Sequence, residues 1–295
     1  MNDHRFFRPP PAARSGGFTL VELITVIVIT GIIASMVAVF IPGPINAYVD
    51  TARRAELTEN ADTAIRRIAR DLRTALPNSV RVVVSGGVTY LEFIPTSGGG
   101  RYRQYPTAGG AGDVLDFSNA DSSFDVLGPV PVYAAGESVV LFNLGPGSAS
   151  DAYAGNNRAA LSTSNSNASL FSTDAAAHTL TFSSIQFPAP SPSARFHVVR
   201  RPVTYACAPN FGTPAAGGLL RYADYPFSSA QPTPPAGVAA QVLVGHVAEC
   251  DFDYNEVIAS AGVHTRTGLV TLILRLEDAG ESVRLVHQMQ VVNAP

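Results

Sequence analysis

The chain has 295 residues, 46% of them apolar, enough for a sizeable core in one or two domains. Its formal net charge is −3, and this mildly acidic balance without a basic tract argues against nucleic-acid binding. Every fixed side-chain cation is Arg, which excludes isopeptide cross-links through lysine within the chain.

Residues 1–17 are polar, Pro-containing and basic, with Arg5, Arg8 and Arg14 set against Asp3. From Phe18 the character changes. Leu23 to Ile41 is an apolar run whose mild polar members are Thr25, Thr30 and Ser35, with Gly31 in the middle. As a helix, Phe18–Ile41 spans about 36 Å, enough to cross a ~30 Å hydrocarbon layer. The basic head predicts that residues 1–17 stay in the cytoplasm and the body lies outside. An ordinary secretory peptide has its small-residue cleavage site after the apolar run. Here Gly16 and Gly17 precede it, so a cut there removes the head and keeps the helix.

One carboxylate, Glu22, stands near the start of the run. A lone charge in hydrocarbon is costly and has an assigned partner as a rule. A cut after Gly17 gives Phe18 a free amine four residues before Glu22, on the same face if both are helical. Among bundled helices that pair offsets two isolated charges and fixes axial register. A single-pass anchor that tolerates a Glu near the interface is the plainer reading.

Gly17-Phe18-Thr19-Leu20-Val21-Glu22, with its basic head and apolar run, resembles the class III leader and processing site of type IV pilins and type II secretion pseudopilins. The resemblance covers about the first forty residues. It implies cleavage after Gly17 by a prepilin peptidase, N-methylation of Phe18, and a role for Phe18 and Glu22 in assembly. It further implies an α+β, pilin-like fold, in which a long N-terminal helix packs its amphipathic half on antiparallel sheet. The implied partners are major and other minor pilins or pseudopilins, an inner-membrane assembly platform, and the lipid bilayer before assembly. No cofactor or metal is implied. Body size suggests a minor pilin-like structural subunit of a type IV pilus, and Tyr48–Arg81 and Gly268–Pro295 resemble pilins of the mannose-sensitive haemagglutinin pilus cluster. The alternatives are a minor pseudopilin of a type II secretion tip complex and a membrane-tethered adhesin or binding module. The implied location is the bacterial inner membrane, single-pass with a periplasmic C-terminal domain, then the filament.

Along the chain the expected organisation is leader 1–17, membrane and filament-core helix 18–41, kinked continuation 42–76, and a β-rich globular domain 77–295. Pro42 and Pro44 flank Gly43 and predict a kink or extended stretch, with helix resuming near Ile45. Leu57, Ala61, Ile65, Ile68, Leu72 and Leu76 then recur at three and four residues, the stripe of an amphipathic helix. Asp62–Arg66 and Arg67–Asp71 are spaced for ion pairs on the opposite face. Pro77 and Asn78 end the helix.

Beyond Pro77 the period falls to two. Val80–Val84 and Val88–Ile94 flank Ser85-Gly86-Gly87 as a hairpin. Further strands are expected at Arg101–Tyr105, Val130–Tyr133, Ser138–Asn143, Thr179–Phe187, Arg195–Val199, Val203–Cys207, Gln241–Phe252, Leu269–Leu276 and Ser282–Val292. A second hairpin turn is placed at Ala134–Glu137 and a final one at Glu277–Glu281, between Leu269–Leu276 and Ser282–Val292, and Val203–Cys207 is expected beside Thr179–Phe187 or Arg195–Val199. About ten strands allow one sheet or two. Residues 145–177, rich in Gly, Ser, Ala and Asn, read as a flexible exposed loop.

Cys207 and Cys250 are the only cysteines, and an oxidising compartment favours a disulfide between them. Asp251, Asp253 and Asn255 open like a calcium loop, but Glu256 stands where that turn needs Gly, and the spacing fits one face of a strand. There is no nucleophile elbow or phosphate loop, and the six His are scattered. No enzyme activity is expected.

Overall fold

The computed structural model describes residues 17–162, 164–165, 178–255 and 267–293. Gly16, the second half of the 145–177 segment and Glu256 lie outside the described residues. The chain divides into two units, Met1–Ala52 and Arg53–Pro295.

In the first unit, helix α1 spans Leu20–Phe40. Thr19 is its N-cap: its backbone is extended, and its hydroxyl oxygen accepts the Glu22 N–H at 3.2 Å. The helix therefore starts after Phe18, not at it. The hydroxyls of Thr25, Thr30 and Ser35 donate back to the carbonyls of Val21, Val26 and Ile32 at 2.7, 2.6 and 2.8 Å. Each polar group of the apolar stretch is satisfied within its own helix, as a lipid environment demands.

Helix α2 spans Pro42–Leu72. The expected interruption contracts to a bend at Ile41, whose backbone stays helical at φ −74°, ψ −42°. Helix resumes three residues before Ile45. The reason is positional: Pro42 and Pro44 fall in the first turn of α2, where a missing N–H leaves no bond unmade.

In the second unit, α2 buries Leu57, Ala61, Ala64, Ile65, Ile68 and Leu72. These are the apolar positions expected from the spacing, and full burial of each Leu or Ile contributes about 1.5–3 kcal/mol. Leu76 is also buried, but past the helix end, where its N–H meets the Ile94 carbonyl at 2.7 Å. Asp62 and Arg66 pair at 2.6 Å as spaced. Asp71 instead faces the body, accepting the Tyr205 hydroxyl at 2.5 Å and lying 3.4 Å from Arg221.

The helix stripe packs on two sheets. The first has the antiparallel order β1 (Arg81–Ser85), β2 (Val88–Phe93), β9 (Val203–Ala208), β10 (Gly218–Ala223), β11 (Gln241–Gly245). The second is a meander of β12 (Val247–Asn255), β13 (Thr267–Asp278) and β14 (Glu281–Val292). Leu91, Tyr205 and Leu219 from the first sheet and Leu272, Leu274 and Val291 from the second share one core with the helix. Arg53–Asp278 at 3.2 Å and an Arg54–Glu281 pair fasten the helix to the β13–β14 turn.

A distal lobe is inserted between the adjacent strands β2 and β9. Its root is a two-stranded neck. Thr89 faces Cys207, and beyond the interruption β3 (Thr96–Arg101) pairs with β8 (Arg195–Val199), Gly98 facing Val198 and Arg101 facing Arg195. Both pairs of strands thus follow one register. The lobe adds β5 (Ser138–Leu141) and β6 (Arg158–Ala160) beside β8, and a separate pair of β4 (Asp121–Asp125) and β7 (Thr179–Ile185). Its own core centres on Phe124, whose ring lies 6.0 Å from Tyr102, 5.5 Å from Phe182 and 5.2 Å from Phe196. Leu76, Ile94, Val140, Ala152, Tyr153 and Val199 form a third cluster where lobe and base meet.

Several sequence expectations need correction. Val203–Cys207 pairs with β2 and β10, not with the strands expected before it. Arg101–Tyr105 is not a strand beyond Arg101; the strand lies earlier, over the Gly98–Gly100 run. Val130–Tyr133 forms no strand and does not pair across Ala134–Glu137; Ser138–Leu141 pairs with β6 and β8. Gln241–Phe252 is broken at His246, which adopts φ 58°. The described part of 145–177 is not a loose loop. Ala152, Tyr153, Asn157 and Ala159 are buried, the Tyr153 hydroxyl donates to the Ser79 carbonyl at 2.8 Å, and the Asn157 side chain donates to the Leu141 carbonyl at 2.9 Å. Polar side chains here satisfy buried backbone, which a low apolar content does not reveal.

Candidate functional site

The N-terminal segment is built from few residues, and little of it is required by the fold. Gly17 has open space where a Cβ would project, so nothing in the chain's own packing demands glycine there. The same holds for Gly31 in the middle of α1. None of the residues of α1 is buried, and large apolar side chains from Phe18 to Ile41 are 47–78% exposed. Such a surface is stable only in lipid or against other helices.

Glu22 occupies the first turn of α1, at the positive end of the helix dipole. Thr19-Leu20-Val21-Glu22 has the spacing of a capping box, a signal already present in the sequence. The cap also changes the local geometry. Phe18 precedes an extended Thr19, so Phe18 and Glu22 do not stand one helical turn apart in the uncut chain. At this position the Glu22 charge favours the helix start through the dipole alone.

The body holds one covalent link. Cys207 on β9 is bonded to Cys250 on β12, with Cα atoms 5.4 Å apart and both residues buried. Asp251 and Asp253 sit on β12 either side of buried Phe252, and Asp251 accepts the Thr89 hydroxyl at 2.9 Å. They occupy a strand face and do not curl into a loop. Among the described residues no three His, Cys, Asp or Glu side chains converge on a metal-sized site.

A buried polar cluster lies beneath the lobe. Glu92 accepts from Arg81 Nε at 2.6 Å and from the Tyr225 hydroxyl at 2.9 Å. Arg81 also donates to the Ser229 and Ser228 carbonyls and stacks over the Tyr153 ring at 3.6 Å. Burial pushes the Glu92 carboxyl above its ordinary range, against the pull of Arg81. Every strong donor here already has an acceptor in the fold, which marks the cluster as structural.

Residues 12–38 match the family description of the prokaryotic N-terminal methylation motif. No curated protein and no solved structure gives a significant match to the chain. The motif, with a single apolar N-terminal helix, fits a single-pass inner-membrane protein and points to a structural subunit rather than an enzyme. This N-terminal segment, with a motif of the class III prepilin leader type followed by an apolar helix that buries none of its residues and carries Glu22, supports a relation to the type IV pilins and pseudopilins.

Proposed function

We infer that the chain is a minor pilin-like subunit that takes part in the assembly or initiation of a type IV filament. The observation that carries this reading is the coincidence of the methylation motif at 12–38 with a helix that buries none of its residues. Cleavage after Gly17 would free the Phe18 amine. Shedding the uncut flank lets the first turn rewind, so that Phe18 and Glu22 can meet, within one subunit or between neighbours. Leu20–Ile41 then exchanges lipid for other helices, and the β-rich body faces the periplasm or the filament surface. Prepilin peptidase, other pilins and the inner-membrane assembly platform are the partners of this scheme.

N-terminal mass analysis tests the processing step: Phe18 should come first, methylated, with residues 1–17 gone. For assembly, Glu22→Ala should leave membrane insertion intact and sharply reduce recovery in sheared filaments; unchanged recovery would remove Glu22 from the mechanism. The same leader serves type II secretion pseudopilins, so loss of surface fibres against loss of enzyme export, on deletion of the gene, decides between them. The distal lobe, with its own aromatic core, favours a third reading in which the body also recognises a ligand. That reading requires binding to persist when filament growth is blocked.

A further inference from the structure

At the root of the neck lies a pocket of about 360 Å³ that the assembly reading leaves unused. Four arginines from three parts of the chain line it: Arg70 from the end of α2, Arg200 and Arg201 from the β8–β9 corner, and Arg221 from β10. Two carboxylates, Asp71 and Asp224, share the lining. With Glu137, which pairs with Arg200 at 3.1 Å, four cations face three anions, leaving a surplus of one positive charge at this spot on a chain whose overall charge is −3.

The donors are only partly used. Asp71 accepts the Tyr205 hydroxyl at 2.5 Å and forms an ion pair with Arg221 Nε at 3.4 Å. Arg221 is largely buried, and its Nε has no hydrogen-bond partner among the described residues. A buried guanidinium nitrogen without an acceptor costs free energy that a bound acceptor returns. Arg201 gives one nitrogen to the Asp224 carbonyl at 3.2 Å, and Arg200 gives Nε to Glu137 at 3.1 Å. Their remaining N–H groups are free to meet a ligand, since each guanidinium carries five donors.

Two further features suit an oxyanion. The guanidinium fork matches the oxygens of phosphate better than lysine does. The pocket also opens toward a neighbouring hollow lined by Gly136 and Glu137, which shares Arg200, Arg201 and Asp224 with it, leaving room for the group that carries the anion.

We propose that this neck pocket binds a phosphate group, held by Arg70, Arg201 and Arg221. Occupancy would tie α2 and β10 of the base to the β8–β9 corner of the neck, stiffening the lobe on its stalk. The group is supplied by a free phosphate compound or by a lipid headgroup.

The test uses the full-length chain purified in a maltoside detergent, with inorganic phosphate followed by 31P NMR. The wild type should broaden the phosphate line, and excess sulfate should reverse it. Arg70→Gln with Arg201→Gln, both at exposed positions, should weaken binding about tenfold or more. Arg221→Gln should do the same, with folding checked by circular dichroism. Arg66→Gln, on the outer face of α2, should leave the broadening unchanged. Glycerophosphoglycerol, a headgroup without tails, then separates the sources: competition equal to that of phosphate assigns a lipid headgroup, and weak competition assigns a free phosphate compound. Absence of broadening with the wild type, or equal broadening with the Arg70/Arg201 variant, overturns the proposal. Neither result touches the processing and assembly of the N-terminal helix.

Discussion

Cys207 and Cys250 are bonded across two different sheets: Cys207 belongs to the five-stranded sheet and Cys250 to the three-stranded meander. The bond therefore fixes how the two sheets that receive α2 sit against each other, where a disulfide between ladder neighbours would only reinforce one sheet. It closes a loop of 43 residues, which in the chain-entropy view constrains the unfolded state by about 4 kcal/mol. Cys207→Ser with Cys250→Ser should lower the unfolding free energy by about 2–5 kcal/mol in urea titration. A loss under about 1 kcal/mol would mean that the shared apolar core alone sets the sheet arrangement.

Breaking the Arg81–Glu92 pair from one side should be costly. Glu92 is fully buried, and its loss leaves Arg81, itself almost buried, facing an empty site with Tyr225. Glu92→Ala should destabilise by about 3–5 kcal/mol. Replacing both partners by apolar residues of similar volume, Arg81→Met with Glu92→Leu, should recover much of that loss, read from the same urea midpoints.

His197 predicts an acid-sensitive lobe. Burial, with Arg195 nearby, holds its imidazole down at about 4, and its Nε2 is buried without a hydrogen-bond partner among the described residues. The unfolded chain binds a proton at this His near pH 6.5, while the folded chain resists until about 4. Stability is therefore full above pH 6.5 and is lost as pH falls toward 4. His197→Gln should flatten that part of the pH–stability curve, measured by thermal unfolding between pH 7 and 4.

The two cores should fail separately. Phe124→Ala removes the ring around which Tyr102, Phe182 and Phe196 are arranged, a change of the kind that costs about 3–5 kcal/mol. Hydrogen exchange should rise across β4, β5, β7 and β8 and stay low in β12–β14. Uniform acceleration would show that the base and lobe unfold as one cooperative body.

Much of this architecture was legible in the chain. The Leu57–Leu72 stripe has the spacing of a helix, and Gly86 and Gly87, at φ 60° and 78°, form the tight turn that their sequence announces. The hairpin of Leu269–Leu276 and Ser282–Val292 around Glu277–Glu281 was equally clear from alternation. What sequence concealed was strand identity written in glycine. Gly98–Gly100 reads as a turn, yet a Cβ on Gly98 would sit 2.8 Å from the Pro131 side chain and one on Gly99 would sit 2.8 Å from the Phe196 carbonyl. Glycine is there because neighbouring chain comes too close for anything larger. Strand β4, Asp121-Ser-Ser-Phe-Asp, hides for a similar reason, since Phe124 alone carries its burial. The neck pocket was invisible because Arg70, Arg200 and Arg221 are distant in sequence and only the fold assembles them. At the N-terminus the motif was plain, and the Thr19–Glu22 spacing already carried the cap that leaves Phe18 outside the helix.

The neck leaves and re-enters the base on adjacent antiparallel strands, so the lobe begins and ends at the same place. A cassette mounted that way can lengthen, shrink or be exchanged without altering the distance its two ends must span.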